Sequence, residues 1–413
     1  MPVPSPILFL LNSSFPEYSG GRENWLSHVA NRLAVRGREV HILTIGPTTK
    51  QPTHYELHGD VRLHRVYPIC GMIIGRLMTM GPLRFIRTFV VVPQFRSALR
   101  SLLNRLGRKP IVIGLDTIIT PLAVRTLRQN LMFVCASKGP HAEVMSTEFP
   151  WLRRYLARME LRAYAECTEV WSNGFDMQEY IRQQGFESIV VGNGVDVAAA
   201  CAPRPIPPEF CRRDHAGIIV SAGSLLDIKG VPEAIEATAH ILAAEAETPL
   251  DLFFIGKGDP RKYLQRCRHL GIESRVHFLG VRNDVFSYMQ HDDMLLCLSG
   301  GGGLSMAALE SLASRTPVIA WDTPVYRQMV THGETGFLVP HRDAEGLAAA
   351  IRGVRRMTPR ERSAIGEKAR RSVDRFDWEK IVDRIEQRLG HLDGRAISPF
   401  WNRMHRDNAV PRN

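Results

Sequence analysis

A run of four glycines between a buried strand and a helix is the feature that most constrains how this chain folds. Met294 to Leu298 is a short apolar run, glycines 300 to 303 follow it, and Met306 to Ala313 carries apolar side chains at helical spacing. A further apolar run comes after the helix, so the pattern predicts strand, loop, helix and strand. Glycines let a ligand approach the backbone, and Ser305 is a typical N-cap of a helix whose free N–H groups attract anions. The stretch favours an anion-binding loop, with the alternative that the glycines merely end a strand and Glu310 is a solvated helix residue.

The first part of the chain shows the same order of strand, glycine loop, helix and strand. Ile7 to Leu11 is apolar, Gly20 and Gly21 follow, an apolar helical face runs between Trp25 and Val35, and Glu39 to Ile45 is a second strand. The two glycines come at the carboxyl end of the first strand, where open α/β sheets bind ligands. A functional loop and a plain strand-to-helix turn are both consistent with this stretch.

Short apolar strands alternate with helical segments along the rest of the chain, which predicts parallel sheets in an α/β fold. Prolines between residues 203 and 208 stiffen a linker, so we expect two Rossmann-like domains. The predicted divisions are an N-terminal domain at 1–205, a C-terminal domain at 206–376, a helix at 377–394 that packs back on the N-terminal domain, and a polar, basic tail at 395–413. The further predicted strands are 61–66, 110–115, 131–135, 170–172, 188–191, 217–222, 252–255 and 276–279, and the further predicted helices are 231–244 and 344–354.

Charge and cysteine usage narrow the class of protein. The 413 residues include 53 Lys and Arg against 42 Asp and Glu, a formal charge of +11 that favours anionic partners. Zinc-finger spacing and aromatic RNA-binding signatures are missing from the sequence, which disfavours nucleic acid as a partner. The seven cysteines never form Cys-x-x-Cys, and the start of the chain resembles neither a signal peptide nor a membrane span. We therefore expect a cytoplasmic protein.

The segment from Met72 to Arg100 is apolar and basic, with almost no acidic residue. One interpretation is a pair of interior helices broken near Gly81 and Pro82, with arginines at the edges. The other is an amphipathic patch that rests on an anionic membrane, peripheral to the bilayer. In that case Arg76, Arg84, Arg87 and Arg96 would meet headgroups beside Ile73, Ile74, Leu77, Phe85 and Phe89.

Seven motifs, in their order along nearly the whole chain, resemble the family-four retaining glycosyltransferases, also called glycosyl transferases group 1. They are Gly20-Gly21-x-Glu23, NGVD at 193–196, GSLLDIKG at 223–230, GKGD at 256–259, HFLG at 277–280, ALESLASRTPVIAWD at 308–322 and GETGFLVP at 333–340. The resemblance implies the GT-B fold, in which two Rossmann-like domains with parallel sheets face each other across a cleft. It implies a nucleotide diphosphate sugar held by the C-terminal domain and a glycan or lipid-linked acceptor held mainly by the N-terminal one. The implied activity is retaining transfer in polysaccharide or envelope biosynthesis, with no cofactor and no metal ion.

The resemblance assigns roles to particular residues. Lys229 matches the lysine that grips the donor diphosphate, a charge-assisted contact that neutralises the leaving group. Glu310 matches the second glutamate of the Glu-x7-Glu motif, which holds the ribose hydroxyls. Lys138 occupies the place of a histidine or arginine near the sugar and is the third expected catalytic residue, and His141 lies beyond it on the acceptor side. The other residues expected at the donor are Gly20, Gly21, Ser224, Gly256, Arg282, Gly302, Gly303, Leu304 and Ser305.

Two departures from the family pattern put activity in doubt. Gly302 stands where the motif has its first glutamate, and Ser224 replaces the arginine that partners the lysine on the diphosphate. A charge-assisted hydrogen bond of this kind contributes about 1.5 to 3 kcal/mol, so donor binding would weaken unless Arg315, Lys257 or Arg282 replaces the lost charge. The alternative function is therefore a catalytically silent relative that binds a nucleotide, a sugar or a partner protein.

Overall fold

The computed structural model describes residues 3–17, 20–46, 55–67, 83–125, 127, 131–137, 153–211, 217–245, 250–300 and 303–393, with the backbone alone at 83–90 and 217–219. The chain divides into two compact units. The first unit is Met1–Gly192 together with Glu379–Asn413, and the second unit is Asn193–Trp378.

The first unit is built on a seven-stranded sheet in which every neighbouring pair is parallel. Its strand order is β3-β2-β1-β4-β5-β6-β7. The strands are β1 (Ile7–Ser14), β2 (Val40–Ile45), β3 (Val61–Val66), β4 (Ile111–Gly114), β5 (Met132–Ser137), β6 (Glu169–Ser172) and β7 (Ile189–Val190). The helices are α1 (Gly21–Val35), α2 (Leu83–Leu106), α3 (Ile119–Arg125), α4 (Arg153–Glu166), α5 (Phe175–Gln183) and the C-terminal α14 (Trp378–Asp393).

Burial on both faces explains why the central strands form the core of this sheet. Every residue of β2 is buried, as expected for a parallel strand covered by helices on each side. Helix α1 places Trp25, Val29 and Leu33 in the interior, and the Trp25 indole N–H donates to the carbonyl of Gly192 at 3.0 Å. The apolar helical face predicted from the sequence is the face that packs on the sheet.

Helix α14 completes the first unit, although it comes last in the chain. The Arg36 guanidinium donates to Glu379 and to Asp383, each at 2.7 Å, and Arg388 donates to the buried carboxylate of Glu169 at 2.8 Å. The sequence placed the domain boundary at residue 205, but the units divide earlier, after Gly192. The reason is that Val197 already packs in the core of the second unit.

The second unit is a six-stranded parallel sheet with the order β10-β9-β8-β11-β12-β13. Its strands are β8 (Gly217–Ala222), β9 (Leu250–Ile255), β10 (Val276–Gly280), β11 (Met294–Cys297), β12 (Val318–Trp321) and β13 (Gly336–Val339). Its helices are α6 (Val197–Cys201), α7 (Val231–Ala244), α8 (Arg261–His269), α9 (Val285–His291), α10 (Met306–Ala313), α11 (Pro324–Arg327), α12 (Ala344–Arg356) and α13 (Pro359–Ser372). The predicted class of two Rossmann-like α/β domains with parallel sheets is confirmed.

Helix α2 covers the described part of the apolar, basic segment. Val91, Phe95, Leu99 and Leu102 are buried at helical spacing in the core of the first unit, as in the interior-helix interpretation. Arg96 is half-buried, while the other residues named for membrane contact and the predicted break at Gly81 and Pro82 lie outside the described side chains. In the described ranges, none of the helices combines the length and the apolar character needed to cross a bilayer.

Candidate functional site

The glycine-rich stretch forms the predicted strand, loop, helix and strand. β11 ends at Cys297, Gly303 has φ of 87°, and α10 begins after Ser305. The Ser305 hydroxyl accepts a hydrogen bond from the amide of Ala308 at 3.3 Å, so the predicted N-cap is confirmed. Leu304 is buried and its carbonyl accepts a hydrogen bond from the Asn193 side chain at 2.7 Å. The start of α10 is therefore anchored at the carboxyl end of β11, where its free N–H groups lie.

The loops after β8 and β9 are packed against each other through glycine. Gly223 donates to the carbonyl of Ile255 at 2.8 Å, and Leu225 donates to that of Lys257 at 2.8 Å. A Cβ atom at Gly256 would lie 1.7 Å from the Gly223 carbonyl oxygen, which is an impossible contact. Glycine is required here because two backbones touch.

Gly230 brings the start of α7 against the end of β11. Its φ is 75°, and a Cβ atom there would lie 2.2 Å from Cβ of Leu298. The preceding residue, Lys229, is thereby held over the loop that follows β11. Its ammonium donates to the hydroxyl of Ser299 at 3.4 Å. The lysine and the glycine-rich loop, predicted from separate stretches of sequence, are neighbours in the structure.

A pocket opens at this edge between the ends of β8 and β11. Its lining residues are Ser221, Ala222, Gly223, Ser224, Leu225, Lys229, Val231, Phe254, Leu296, Cys297, Leu298, Ser299, Ser305 and Tyr326. Lys229 is the basic member of this lining, and desolvation lowers the pKa of its ammonium although part of the side chain reaches solvent. A partly desolvated cation is stabilised by an anionic ligand that takes the place of water.

Three other ionisable groups have raised pKa values, of which Cys297 and Tyr326 line the pocket and Glu310 does not. Burial raises the pKa of Glu310, a half-buried residue of α10, to about 7. In the described part of the chain, no hydrogen bond reaches the Glu310 carboxyl. Burial also raises the pKa of the Cys297 thiol to about 12. The charge of Lys229 acts to lower that pKa, and the charge of Glu310 acts to raise it. The hydroxyl of Tyr326 hydrogen-bonds with Ser305 and the Ser299 backbone, and burial raises its pKa as well.

The predicted donor residues do not all gather at this pocket. Ser224, Lys229 and Ser305 line it, whereas Arg282 donates to Glu209 and to the Tyr288 hydroxyl, each at 2.9 Å. Arg315, a second candidate for the lost positive charge, is paired with Glu367 at 2.6 Å. Neither arginine is placed by the structure to compensate for Ser224.

The remaining predicted residues are placed elsewhere or not described. Gly20 precedes α1 in the first unit, where its amide N–H donates to the Tyr55 hydroxyl at 3.4 Å, and Gly21 begins that helix. Lys138, His141 and Gly302 lie outside the described residues. Within the described ranges, no group of three His, Cys, Asp or Glu side chains could hold a metal ion.

Sequence reasoning missed Ser299, Cys297 and Tyr326 as pocket residues. Ser299 and Cys297 flank the predicted strand end, so their position was available from the pattern. Tyr326 belongs to α11, a helix of four residues. No periodic signal can arise over so short an element, and only the fold brings its hydroxyl to Ser305.

The sequence of each unit is similar to a known protein family. Residues 216–356 match the family model described as glycosyl transferases group 1, and residues 20–194 match the glycosyl transferase 4-like domain. The putative glycosyltransferase EpsD of Bacillus subtilis is 28% identical over 247 residues, which are 57% of this chain and 63% of EpsD. The lipopolysaccharide glucosyltransferase WaaG of Escherichia coli K12 is 28% identical over 184 residues, 44% of this chain and 49% of WaaG. The chain thus spans about half to two thirds of the length of such curated relatives.

Solved structures resemble the chain over nearly its full length. Sucrose-phosphate synthase from Thermosynechococcus elongatus has a TM-score of 0.77 at 20% identity and covers 94% of this chain and 99% of its own. HepE of Anabaena, solved in complex with UDP-glucose, has a TM-score of 0.69 at 18% identity with coverage of 94% and 99%. These likenesses establish that the fold is GT-B.

Proposed function

The chain belongs to the glycosyl transferases group 1 family, and on this premise we propose that it transfers a sugar, with retention, from a nucleotide diphosphate sugar. The proposed acceptor is a glycan or a lipid-linked sugar in polysaccharide or envelope biosynthesis. The observation that carries the proposal is the Lys229 ammonium, which donates to Ser299 in the loop that precedes α10. The names of WaaG, a lipopolysaccharide glucosyltransferase, and of HepE, which was solved with UDP-glucose, support the choice of pathway and donor.

In the proposed mechanism, the pocket binds the diphosphate and stabilises it as it departs. The Lys229 ammonium and the N–H groups at the start of α10 meet the phosphate oxygens, and their effect grows as the glycosidic bond breaks and negative charge collects there. A phosphate oxygen of the donor takes the proton of the attacking acceptor hydroxyl, so no side-chain nucleophile is needed. The new bond forms on the face that the diphosphate leaves, which retains the configuration.

Glu310 is proposed to bind the nucleoside. A carboxyl group with a raised pKa and no hydrogen-bond partner among the described residues is suited to accept hydrogen bonds from two ribose hydroxyls. Tyr326 would hold Ser305, and through it the start of α10, in place. We further propose that turnover needs no divalent cation, because Lys229 and the helix supply the positive charge. Equal rates with and without a chelator would support this, and dependence on added Mg²⁺ or Mn²⁺ would contradict it.

Calorimetry with UDP and GDP, alongside an assay for released nucleoside diphosphate, tests the proposed function. An active enzyme binds one nucleotide and releases it from the matching sugar donor when an acceptor is present. Binding without release on any acceptor would favour the silent relative, for which Gly302 and Ser224 are the specific observations. Failure to bind either nucleotide would contradict the proposed transferase and leave only a silent relative that binds a sugar or a partner protein.

Peripheral contact with an anionic membrane stays a prediction from the segment Met72 to Arg100. Attraction of about 1 kcal/mol per basic residue near the surface should fade with salt. Sedimentation with anionic and with neutral liposomes, at low and at high salt, checks it. Pelleting only with anionic liposomes at low salt is the expected result.

A further inference from the structure

The carboxyl edge of the sheet in the first unit carries a second group of residues that are suited to bind a ligand. Glu17 comes after β1, Gly46 directly after β2, and Arg65 and Tyr67 at the end of β3. In the register of the sheet, Thr44 is opposite Arg65 and Ile45 is opposite Val66. Side chains alternate along a strand, so Arg65 and Tyr67, two residues apart, extend to the same face. None of these four residues lines the pocket beside Lys229.

Tyr67 lies flat over a glycine. The Gly46 amide donates to the Val66 carbonyl at 2.8 Å, and a Cβ atom at Gly46 would lie 2.3 Å from Cε1 of the Tyr67 ring. The φ of Gly46 is not in the left-handed region, so backbone conformation does not explain the glycine. The glycine is explained by the space that the Tyr67 ring occupies. Tyr67 nevertheless keeps 61% of its surface exposed, so the rest of the aromatic ring is offered to solvent.

Glu17 is buried with one oxygen unsatisfied. Only 5% of its surface is exposed, and its Oε1 accepts a hydrogen bond from Nη2 of Arg65. Its Oε2 is buried and has no hydrogen-bond partner among the described residues. A buried polar atom without a partner costs about 1 to 3 kcal/mol, so a missing donor is expected here. The hydrogen bond described for Arg65 uses one of its five N–H groups, which leaves the others for a ligand.

We propose that Tyr67, Arg65 and Glu17 form a subsite for a neutral sugar residue of the acceptor. The C–H face of the sugar ring stacks on the exposed face of Tyr67, because polarised C–H groups meet the negative face of an aromatic ring. Hydroxyls of the sugar accept from the N–H groups of Arg65 that Glu17 does not use, while Glu17 holds the guanidinium in place. The Glu17 and Arg65 charges cancel, so this edge offers no net charge to reward a phosphate or a carboxylate. The inference rests on the proposed function, since it names the class of acceptor.

Saturation-transfer NMR with the full chain tests this subsite. The probes are the methyl α-glycosides of glucose, galactose, mannose and N-acetylglucosamine, and UDP binding is measured by calorimetry on the same samples. At least one glycoside should bind the wild-type protein. Tyr67→Ala should weaken that binding about tenfold or more, whereas Tyr67→Phe, which keeps the ring, should preserve it.

Matched variants separate recognition from folding. Arg65→Ala should weaken glycoside binding, whereas Arg62→Ala, at an exposed arginine of the same strand, should not. Gly46→Ala should also weaken it, because the new methyl group displaces the Tyr67 ring. UDP affinity should stay unchanged in all of these variants.

The outcomes distinguish this inference from the function on which it rests. If no glycoside binds the wild type, or if Tyr67→Ala and Arg65→Ala bind glycosides as the wild type does, the subsite is refuted while UDP binding still supports the donor proposal. If the wild type binds glycosides and not UDP, the donor proposal fails and the sugar subsite stands.

Discussion

The carboxyl edges of the two sheets are built in different ways. In the second unit, backbone touches backbone: Gly256 lies against Gly223, and Gly230 lies against Leu298. In the first unit, side chains make the contacts, as between Arg65 and Glu17 or between Tyr67 and the glycine beneath it. A backbone-lined edge suits a group such as a diphosphate, which N–H dipoles and a single cation can bind. A side-chain-lined edge suits a ligand that is recognised by its pattern of hydroxyls.

The comparison predicts different consequences for substitutions at the two edges. At a backbone-lined edge, an added methyl group forces atoms together and disturbs the whole loop. At a side-chain-lined edge, truncation removes one contact and leaves the fold in place. Substitutions at Lys229, Gly230, Glu310 and Tyr326 test this difference in the second unit, and Lys229 has the largest expected effect.

Lys229→Ala should lower kcat/KM by about 10² to 10³, a loss of the size found when one donor to a developing anion is removed. Both kcat and donor affinity should fall, because the phosphate carries charge in the ground state and gains more in the transition state. Steady-state assays of nucleotide release check this. Lys368→Ala, at an exposed lysine of α13, is the control and should behave as the wild type. An unchanged kcat/KM in Lys229→Ala would remove this lysine from the site.

Gly230→Ala should weaken nucleotide binding by roughly tenfold to a hundredfold, since its Cβ would collide with Leu298 and move Lys229. Gly271→Ala is a matched control, because Gly271 has a similar φ of 70° and no atom within 4 Å of the added Cβ. Both variants carry the cost of a left-handed alanine, about 1 to 2 kcal/mol, and calorimetry should find nucleotide affinity changed in the first alone. Equal affinities in the two variants would show that the packing of α7 on β11 does not shape the pocket.

Glu310→Gln should weaken nucleotide binding about tenfold at pH 8 and stabilise the free protein at the same time. Burial raises the pKa of this carboxyl from 4.5 to about 7, so the stability that its neutral form allows is present below pH 4.5 and is lost as the pH rises through 7. The loss amounts to about 3 kcal/mol at pH 8, and glutamine removes it. Calorimetry and thermal unfolding from pH 5 to 8 measure the two effects.

The control for Glu310 is Glu273→Gln, at an exposed glutamate that pairs with Arg268. It should leave both the affinity and the pH dependence unchanged. Nucleotide affinity of the wild type should rise with pH through about 7, as the carboxylate forms, and should be flat in Glu310→Gln. A Glu310→Gln protein that is less stable than the wild type at pH 8 would contradict the assignment.

Tyr326→Phe should have the smallest effect, a loss of about threefold to tenfold in kcat/KM, because it removes one net hydrogen bond to Ser305 and leaves the ring. Tyr180→Phe is a suitable control, since that hydroxyl donates to Glu160 at 3.4 Å in the first unit. Nucleotide-release assays on both variants decide the question. Equal losses would mean that the Tyr326 hydroxyl has no special part in shaping the loop.

The fold was largely predictable because parallel strands buried on both faces leave short apolar runs between turn residues. β3, β8, α7 and α10 have the bounds expected from the pattern. Strand β13 was not predicted, because it has four residues and only its two ends are buried. Helix α13 was not predicted either, since only Gly366 and Ala369 are buried on it and it lacks an apolar stripe.

The candidate site was predictable where the backbone makes it and less so where side chains converge. Lys229 and Ser305 meet at one pocket, as the motifs indicated. Arg282 does not, because its partner Glu209 comes from a segment 73 residues earlier in the chain, which no local pattern reveals. The exposed ring of Tyr67 escaped attention for the same reason. Its significance depends on Gly46, which follows a different strand.

The position of α14 at the end of the chain has a consequence for biosynthesis. The second unit is one continuous stretch, Asn193–Trp378, and all its strands are synthesised before α14. Until residues 379–393 are synthesised, Arg36 lacks the Asp383 carboxylate and Glu169 lacks the Arg388 guanidinium. The sheet of the first unit is therefore made well before the helix that pairs with it. Domains that fold during synthesis usually do so from the N-terminus, whereas here the later-encoded unit can finish first. A chain truncated before Glu379 would therefore keep the whole second unit and lack the helix that completes the first.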